Sequence, residues 1–227
     1  MFSGITEGLF EVKSIVRHKG LLHYKVILNE VLSKDLKVGA SLSIDGVCQT
    51  VVAKHGVEVS FDAIQETLDK TTLNELFEGR KVNVERSIRY GDEMGGHEVS
   101  GHVFETATII DKKITENNVA LTIQCSEACF AFIKPKAYIA VDGSSLTVGL
   151  TITNKQQHSF EVYLIPETLR LTHFSNKKVG DKVNIEPDMK TKVLVEAVQD
   201  YFSNIEARLT ILEKELKAVL EKENDKS

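Results

Sequence analysis

The amino-acid sequence predicts a mainly β protein in which two similar small barrels are followed by one long α-helix. An internal repeat is the first observation behind this prediction: residues 41–51 (SLSIDGVCQTV) align with residues 138–148 (YIAVDGSSLTV). Two more blocks repeat in the same order, residues 61–68 (FDAIQETL) with 162–169 (VYLIPETL), and residues 81–85 (KVNVE) with 182–186 (KVNIE). Ordered blocks at nearly constant spacing indicate a duplicated domain rather than a generic similarity between strands and turns.

Short alternating segments are the second observation. Residues 57–61 (VEVSF) and 160–164 (FEVYL) alternate in the manner of half-buried strands, and Gly and Asp turns separate such runs. Roughly 90 residues per copy, mostly in short strands, favour a closed barrel because closure removes exposed sheet edges. We predict barrels over residues 1–90 and 97–188, brief helices near residues 74–77 and 127–133, and a Gly-rich linker at residues 89–97.

The third observation is a change of period after residue 188. Apolar residues then recur at steps of three or four, which predicts an amphipathic helix over residues 191–221: Leu194, Val198, Tyr201, Ile205, Leu209, Leu212, Leu216 and Val219. A narrow apolar stripe beyond two complete barrels is typical of a helix that packs on other helices, so we interpret it as an oligomerisation helix. The alternative is a helix folded back onto its own barrel.

Composition argues against several classes of function. The 227-residue chain has a formal net charge of -5, which disfavours a broad electrostatic grip on nucleic acid. The N-terminus does not resemble a signal peptide, and no apolar run approaches the roughly 18 residues that span a bilayer. Cys48, Cys125 and Cys129 do not form a disulfide framework, and Cys125 and Cys129 have no matching second pair for zinc. We therefore expect a reduced, cytoplasmic protein with no metal and no nucleic-acid or membrane partner.

The repeat brings forward a small set of chemically reactive side chains. Cys48 aligns with Ser145, each between an Asp-Gly turn and a Thr, and a thiol or hydroxyl there could add to an electrophilic carbon or deliver a water to it. The alternative for Cys48 is a buried apolar residue. His102 follows a repeated Gly and is a natural proton carrier, although a lone histidine is often structural. His97 and His173 have weaker cases, because neither lies at a repeated position.

Four threonines also recur in pairs, Thr50 with Thr147 and Thr67 with Thr168. Their hydroxyls suit a polyhydroxylated ligand, whereas the alternative is that threonine is simply a favoured strand residue. A duplicated pocket implies two molecules of one ligand, or of closely similar ligands.

Several motifs together carry a resemblance to a known family: MFSGI at the start, DGVCQTV, the ETL blocks, NVERS, GGHEVSGHV, DGSSLTVG, LIPETL and VNIEPD. Over about residues 1–190, the chain resembles the riboflavin synthase α-chain family. The resemblance implies two six-stranded Greek-key barrels with a C-terminal helix, assembled as a homotrimer. It implies dismutation of two 6,7-dimethyl-8-ribityllumazine molecules to riboflavin and a ribitylamino-pyrimidinedione, without metal or added cofactor. The site would lie between the N-barrel of one subunit and the C-barrel of a neighbour. Lumazine synthase is a further candidate partner.

The resemblance also implies site residues by position. It assigns to the N-barrel pocket Gly4, Ile5, Thr6, Ser41, Cys48, Gln49, Thr50, Asp62, Ala63, Ile64, Gln65, Glu66 and Thr67. It assigns to the C-barrel pocket Gly101, His102, Val103, Lys136, Ser145, Leu146, Thr147, Tyr163, Leu164, Ile165, Pro166, Glu167 and Thr168. Backbone groups of the ETL segments would hold the pteridine ring edge, and hydroxyls would hold the ribityl chain. His102 with Ser145 would move protons, while Cys48 and Thr50 would lie beside the electrophilic carbon.

The sequence departs from the family pattern in three ways. Ser3 replaces a usual Thr, which keeps a hydroxyl, and the C-terminal helix is longer than expected. Gln49 stands where an apolar residue is common, which would change either barrel packing or ligand contacts. The main rival function is a non-catalytic lumazine- or flavin-binding protein, but such a protein would have lost polar residues that this second barrel keeps, such as His102, Ser145 and Thr147. A flavin reductase-like barrel would need a nicotinamide-binding domain downstream, where this sequence has a helix.

Overall fold

Two closed six-stranded antiparallel barrels precede one long helix, which confirms the predicted fold class. The structure is a computed structural model that describes residues 1–154 and 157–224, with side chains described except at residues 154 and 215–224. Each barrel closes around its own apolar core. The sequence repeat is therefore a structural repeat, and the two barrels have the same strand order.

The N-barrel consists of β1 (Gly8–His18), β2 (Leu21–Ile27), β3 (Ser41–Ile44), β4 (Val47–His55), β5 (Glu58–Ile64) and β6 (Lys81–Arg86). Around the barrel the order is β1-β2-β5-β4-β3-β6, a Greek-key arrangement. Alternation determines which side chains point inward, so Leu22, Tyr24 and Val26 of β2 are fully buried. Helices α1 (Glu30–Ser33) and α2 (Gln65–Lys70) and a 3-10 turn (Thr72–Glu75) connect the strands.

The C-barrel repeats this arrangement with β7 (Glu105–Ile114), β8 (Val119–Cys125), β9 (Tyr138–Val141), β10 (Ser144–Asn154), β11 (Gln157–Leu164) and β12 (Lys182–Pro187). Helix α3 (Glu127–Phe130) corresponds to α1, and α4 (Pro166–Leu171) with a 3-10 turn (His173–Ser175) corresponds to α2 and its turn. The predicted helix near residues 127–133 is thus α3, and the one near residues 74–77 overlaps the first 3-10 turn. Helices α2 and α4 were not predicted, because six residues are too few to show a helical period.

A reciprocal set of buried hydrogen bonds joins the two barrels. In each barrel an aspartate after a short strand accepts a backbone N–H from an asparagine, Asp45 from Asn83 at 2.7 Å and Asp142 from Asn184 at 2.7 Å. Each asparagine side chain then donates across to the other barrel, Asn83 Nδ2 to the Asp142 carbonyl at 3.0 Å and Asn184 Nδ2 to the Asp45 carbonyl at 2.7 Å. The repeated Asp and Asn therefore stabilise the contact between the barrels, and each barrel contributes the same pair of residues to it.

The repeated glycines lie at the same contact. Gly46 and Gly143 have φ values of +83° and +82°, and a Cβ on Gly46 would lie 2.5 Å from the backbone nitrogen of Gly143. Only glycine combines this backbone conformation with so close an approach. The Asp-Gly turns thus place β4 and β10, and with them Cys48 and Ser145, on either side of the inter-barrel contact.

His173 adds a charged group to this contact. Its Nε2 lies 2.8 Å from Asp142 Oδ2, and its Nδ1 lies 3.6 Å from Asp45 Oδ1. Burial alone would lower the pKa of His173, but the two carboxylates outweigh burial and the net pKa is raised above 6.5. A raised folded-state pKa stabilises the protein most below the unfolded-state value, and this stabilisation is lost as the pH rises through the folded-state pKa.

We therefore predict that His173→Gln lowers the free energy of unfolding by about 2 kcal/mol at mildly acidic pH, because two buried carboxylates lose the imidazolium they share. Arg80 then remains beside Asp45, and Lys177 remains beside Asp142. The difference from the unsubstituted protein should shrink as the pH rises. Urea unfolding at pH values below and above neutrality measures this difference in the free energy of unfolding. His18→Gln, at the exposed end of β1, is the matched control and should leave stability unchanged at every pH. A pH-independent loss in His173→Gln would contradict the role of its charge.

Helix α5 spans Met189–Asn224 and extends beyond the predicted residues 191–221 at both ends. Of the predicted apolar stripe, Leu194, Val198, Tyr201, Leu209 and Leu212 are between 45% and 65% exposed. The side chains of Leu216 and Val219 lie outside the described part of the chain. Among the described residues, no helix has both the length and the apolar character that a membrane span requires. The role of α5 in oligomerisation stays a prediction, as do the domain boundaries.

Candidate active site

The segments that lead into the two barrels are exchanged between them. Phe2 and Val99 form an antiparallel bridge, with hydrogen bonds of 2.7 and 3.0 Å between their backbone groups. From this bridge each segment crosses the other barrel: Ser145 N donates to the Gly4 carbonyl at 2.8 Å, and Cys48 N donates to the Gly101 carbonyl at 2.8 Å. Each barrel's candidate site is therefore completed by the segment that precedes the opposite barrel.

Because of this exchange, the predicted pocket residues lie beside the opposite barrel within one chain. The residues expected in the N-barrel pocket, Gly4, Ile5 and Thr6, border the C-barrel cavity that contains Ser145. Those expected in the C-barrel pocket, Gly101, His102 and Val103, border the N-barrel cavity that contains Cys48. Within one chain, His102 accordingly lines the Cys48 cavity rather than the Ser145 cavities. The pairing of His102 with Ser145 stays a prediction. Alignment identifies corresponding residues, but it does not tell which barrel a loop crosses.

The N-barrel half-site is an open cavity of about 240 Å³ beside Cys48. It is lined by Val47, Cys48, Glu66, Thr67, Lys70, Thr71, Gly101, His102 and Val103. Thr50 lies two residues beyond Cys48 on β4, hence on the same face, and pairs with Ser41 of β3. The half-site thus combines a partly buried thiol, an imidazole and several hydroxyls.

The C-barrel half-site consists of two adjoining cavities, of about 340 and 190 Å³, which share Ser145, Ile165 and Thr168. The larger is also lined by Lys136, Leu146, Thr147, Val148, Gly149 and Tyr163. The smaller is also lined by Gly4, Ile5, Thr6, Ser144, Glu167, Leu171 and Thr172. Exposed apolar surface at Ile5, Tyr163 and Ile165 suits the face of a planar ring, and Thr147 and Thr168 supply hydroxyls.

His97 distinguishes the C-barrel half-site from its counterpart. Its Nδ1 lies 2.6 Å from Ser145 Oγ, and its ring stacks on Tyr138 with a centroid distance of 5.1 Å and an interplanar angle of 11°. His97 lies outside the blocks that align, which begin at Ser3 in the first copy and at Ser100 in the second. This position outside the repeat weakened the case for His97 in the sequence, yet the structure places its imidazole within hydrogen-bonding distance of the Ser145 hydroxyl.

Two buried glutamates hold the exchanged segments in place. Glu85 Oε1 accepts from Ser3 N and Ser3 Oγ, both at 2.7 Å, and Oε2 accepts from Gly4 N at 3.1 Å. Glu186 repeats these contacts with the segment at Ser100 and Gly101 at 2.7 to 2.9 Å. Burial raises the pKa of Glu85 from 4.5 to about 7 and also raises the pKa of Glu186, despite the hydrogen bonds that favour the charged forms. In the sequence these two glutamates stand out only as the last residues of the repeated blocks KVNVE and KVNIE.

The raised pKa of Glu85 predicts a pH-dependent loss of stability. Because the unfolded state gives up this proton near pH 4.5 and the folded state near pH 7, unfolding becomes easier as the pH rises between these values. Across this range, the titration of Glu85 lowers the free energy of unfolding by about 3 kcal/mol. Glu85→Gln should remove this part of the pH dependence, as measured by urea unfolding across that range. Glu11→Gln, on the exposed side of β1, should keep it, and an unaltered slope in Glu85→Gln would contradict the argument.

Several other predicted residues have clear positions. The buried Gln49 side chain accepts from Tyr24 OH at 3.2 Å and donates to the Cys48 carbonyl at 3.0 Å, so its effect is on barrel packing rather than on a side-chain contact with ligand. The side chains of Ala63, Leu146 and Leu164 belong to the barrel cores, which leaves mainly their backbone groups for a ligand. The remaining polar groups of the two ETL regions have local partners: Asp62 with His23, Gln65 with Asp69, Glu66 with Lys70 and Glu167 with Arg170.

The fold and the paired half-sites define a tandem-barrel protein with two related sites for small ligands. A family model described as "Lumazine binding domain" matches residues 3–87 and again residues 100–188. A curated relative named riboflavin synthase, from Buchnera aphidicola subsp. Baizongia pistaciae, is 40% identical over 88% of this chain and 92% of the relative. A second riboflavin synthase, from Escherichia coli (strain K12), is 38% identical with the same coverage. A third, from Chlamydia trachomatis serovar D, is 36% identical over 91% of this chain and 98% of the relative. The chain belongs to the riboflavin synthase family.

Solved structures agree on the fold. LumP complexed with riboflavin superposes with a TM-score of 0.75 at 23% identity, covering 82% of this chain and 99% of LumP. LumP complexed with 6,7-dimethyl-8-(1'-D-ribityl) lumazine gives a TM-score of 0.73 at 22% identity, with the same coverage. The tandem arrangement of two barrels is therefore shared with these proteins.

Proposed function

We propose that this chain is a riboflavin synthase, a transferase that dismutates two 6,7-dimethyl-8-ribityllumazine molecules. One molecule gives a four-carbon unit to the other, and the products are riboflavin and 5-amino-6-(D-ribitylamino)uracil, the last step of riboflavin biosynthesis. The two products together contain all the atoms of the two substrates, so the reaction needs no oxidant, reductant or added cofactor. The observation that carries the proposal is the pair of half-sites, alike in architecture but with different reactive groups, Cys48 and Ser145.

Unequal half-sites suit a reaction in which two identical molecules have different roles. One lumazine must lose a proton from its acidic C7 methyl group, and the other must accept a nucleophile at C7. We assign nucleophile delivery to the C-barrel half-site, because the 2.6 Å contact between His97 and Ser145 is the arrangement of an activated hydroxyl. We assign proton removal to the N-barrel half-site, where His102 lines the Cys48 cavity. Holding the two rings in reacting geometry supplies a further ~7–11 kcal/mol.

The same proposal includes a homotrimer in which the N-barrel half-site of one chain faces the C-barrel half-site of the next. Its support is that the cavity beside Cys48 shares no lining residue with the cavities beside Ser145, so rings bound within one chain do not share a pocket. The exposed apolar side chains of α5 are a second support, because such a helix can pack against its copies. A cytoplasmic location fits the three free cysteines, and association with lumazine synthase stays a prediction.

Incubation of the purified chain with 6,7-dimethyl-8-ribityllumazine alone tests the proposed reaction. We expect riboflavin to form with an equal amount of the pyrimidine product, and without any added cofactor. The visible absorbance of riboflavin and chromatography of both products provide the measurement. Tight binding of lumazine with no product would instead identify a carrier and would overturn the roles of Cys48, His97 and Ser145.

A further inference from the structure

A cluster of two thiols and one carboxylate lies apart from both half-sites, at one end of the C-barrel. Cys125 is the last residue of β8, Cys129 lies in α3, and Glu105 is the first residue of β7. One Sγ of each cysteine and a carboxylate oxygen of Glu105 all lie within 4.8 Å of one another. Cys129 is fully buried, and Cys125 is partly buried. Elements distant in sequence thus converge on one point.

The N-barrel shows that the fold does not require this cluster. Strand β1 begins at Gly8 as β7 begins at Glu105, and Asn29 caps α1 as Ser126 caps α3. Counting from these caps, Leu28 corresponds to Cys125 and Leu32 corresponds to Cys129. Leu28 and Leu32 are 4% and 3% exposed and belong to the N-barrel core. The same barrel end is therefore closed by apolar packing in one copy, whereas all three corresponding positions carry metal-ligating groups in the other.

We propose that Glu105, Cys125 and Cys129 bind a thiophilic divalent cation of the zinc class. Zinc binds thiolate sulfur at about 2.3 Å and carboxylate oxygen at about 2.0–2.2 Å, which separates neighbouring donors by less than about 4 Å. Donor atoms already within 4.8 Å need only small side-chain movements to reach that geometry. The ion would link β7, β8 and α3 and so stabilise this end of the C-barrel.

The carboxylate is already oriented for such a role. Glu105 Oε1 accepts from Ser126 N at 2.8 Å, and Oε2 accepts from Ser126 Oγ at 2.6 Å. Hydrogen bonds of this kind fix the direction of a ligating carboxylate. This site was not predicted from the sequence, because the two cysteines lack a second Cys pair and only the folded barrel brings Glu105 to them. The inference is independent of the proposed reaction.

Cobalt(II) is the probe, because its bonds to thiolate produce a charge-transfer band and its visible spectrum reports tetrahedral geometry. The full chain, stripped of metal and reduced with a phosphine, should show both spectral features at one cobalt per chain, and zinc should abolish them by displacement. Zinc should also raise the thermal midpoint of the metal-free chain, increasingly with concentration.

The main test variant introduces the residues that the N-barrel has at the corresponding positions. Cys125→Leu with Cys129→Leu reproduces Leu28 and Leu32, which preserves packing, and should remove both the cobalt bands and the thermal shift by zinc. Cys125→Ala and Glu105→Gln test single donors and should weaken binding at least tenfold. Cys48→Ala controls for the remaining thiol and should keep the full spectrum. Three outcomes would each overturn the proposal. The reduced wild-type chain could show no cobalt band, or the double leucine variant could show a band as strong as that of the wild type. The third is a Cys125–Cys129 disulfide in a chain that does not bind cobalt after reduction.

Discussion

Gly101→Ala is expected to lower kcat/KM for riboflavin formation by a factor of about 100 or more while both barrels stay folded, because small displacements of reacting groups carry penalties of that order. A Cβ at Gly101 would lie 2.7 Å from Cys48 Cβ and 2.8 Å from Cys48 N, well inside van der Waals contact. The exchanged segment must therefore move away, and the hydrogen bond from Cys48 N to the Gly101 carbonyl is lost with it. His102, the next residue, moves as well.

Gly39→Ala separates this steric effect from simple backbone strain. Gly39 has φ of +87°, close to the +80° of Gly101, but a Cβ there would meet nothing within 4 Å. Gly39→Ala should lose about 1 kcal/mol of stability from the left-handed conformation, and Gly101→Ala should lose more because its hydrogen bond with Cys48 N is also broken. Only Gly101→Ala should lose activity. Steady-state kinetics and urea unfolding of the two variants make the comparison. Equal activity in both would show that the exchanged segment does not form the N-barrel half-site.

Ser145→Ala is expected to reduce kcat by a factor of about 10²–10⁴, because Ser145 with His97 delivers the nucleophile in the proposed reaction and losing the proton transfer in that step costs about this much. The change deletes the hydroxyl that lies 2.6 Å from His97 Nδ1 and leaves the surrounding strand intact. Because the ring of lumazine is held by many other contacts, KM should change much less than kcat. His97→Gln should have a similar effect, and the double variant should be little worse than either single one, since the two groups act as a unit.

Ser159→Ala is the matched control. Ser159 is buried on β11 of the same barrel, and among the described residues its hydroxyl has no hydrogen-bond partner. Its removal should leave kcat and KM unchanged. A loss of kcat in Ser145→Ala no larger than that in Ser159→Ala would remove Ser145 from the mechanism.

The fold could be predicted from the sequence because duplication makes each half a check on the other. Repeated Asp-Gly turns and alternating strands appear twice in the same order, and the change of period after residue 188 stands out against them. Local patterns of this kind depend on neighbouring residues, which a sequence displays directly.

The candidate site could be predicted only in part, because it depends on contacts between distant segments. Cys48 and Ser145 were found through their common place after a turn. The crossing of Gly4 to Ser145 and of Gly101 to Cys48 was missed, since no local pattern records which barrel a segment crosses. Glu85 and Glu186 were missed for the same reason, because their partners lie more than 80 residues away. His97 had a weak case in the sequence because repetition was taken as the sign of function, whereas this histidine lies outside the repeated blocks and contacts Ser145.

Subunit mixing tests most directly whether the working site joins half-sites of different chains. In the proposed homotrimer, Gly101→Ala should disable the N-barrel half-site and Ser145→Ala should disable the C-barrel half-site. An assembly of either variant alone should then have no fully intact site. The two chains, carrying different tags and co-expressed in equal amounts, are purified through both tags and assayed with lumazine. If sites form between neighbouring chains, each mixed trimer contains one site built from an intact N-barrel and an intact C-barrel, and about one third of wild-type activity per trimer should return. Activity no greater than that of the two variants measured separately would contradict a site shared between subunits.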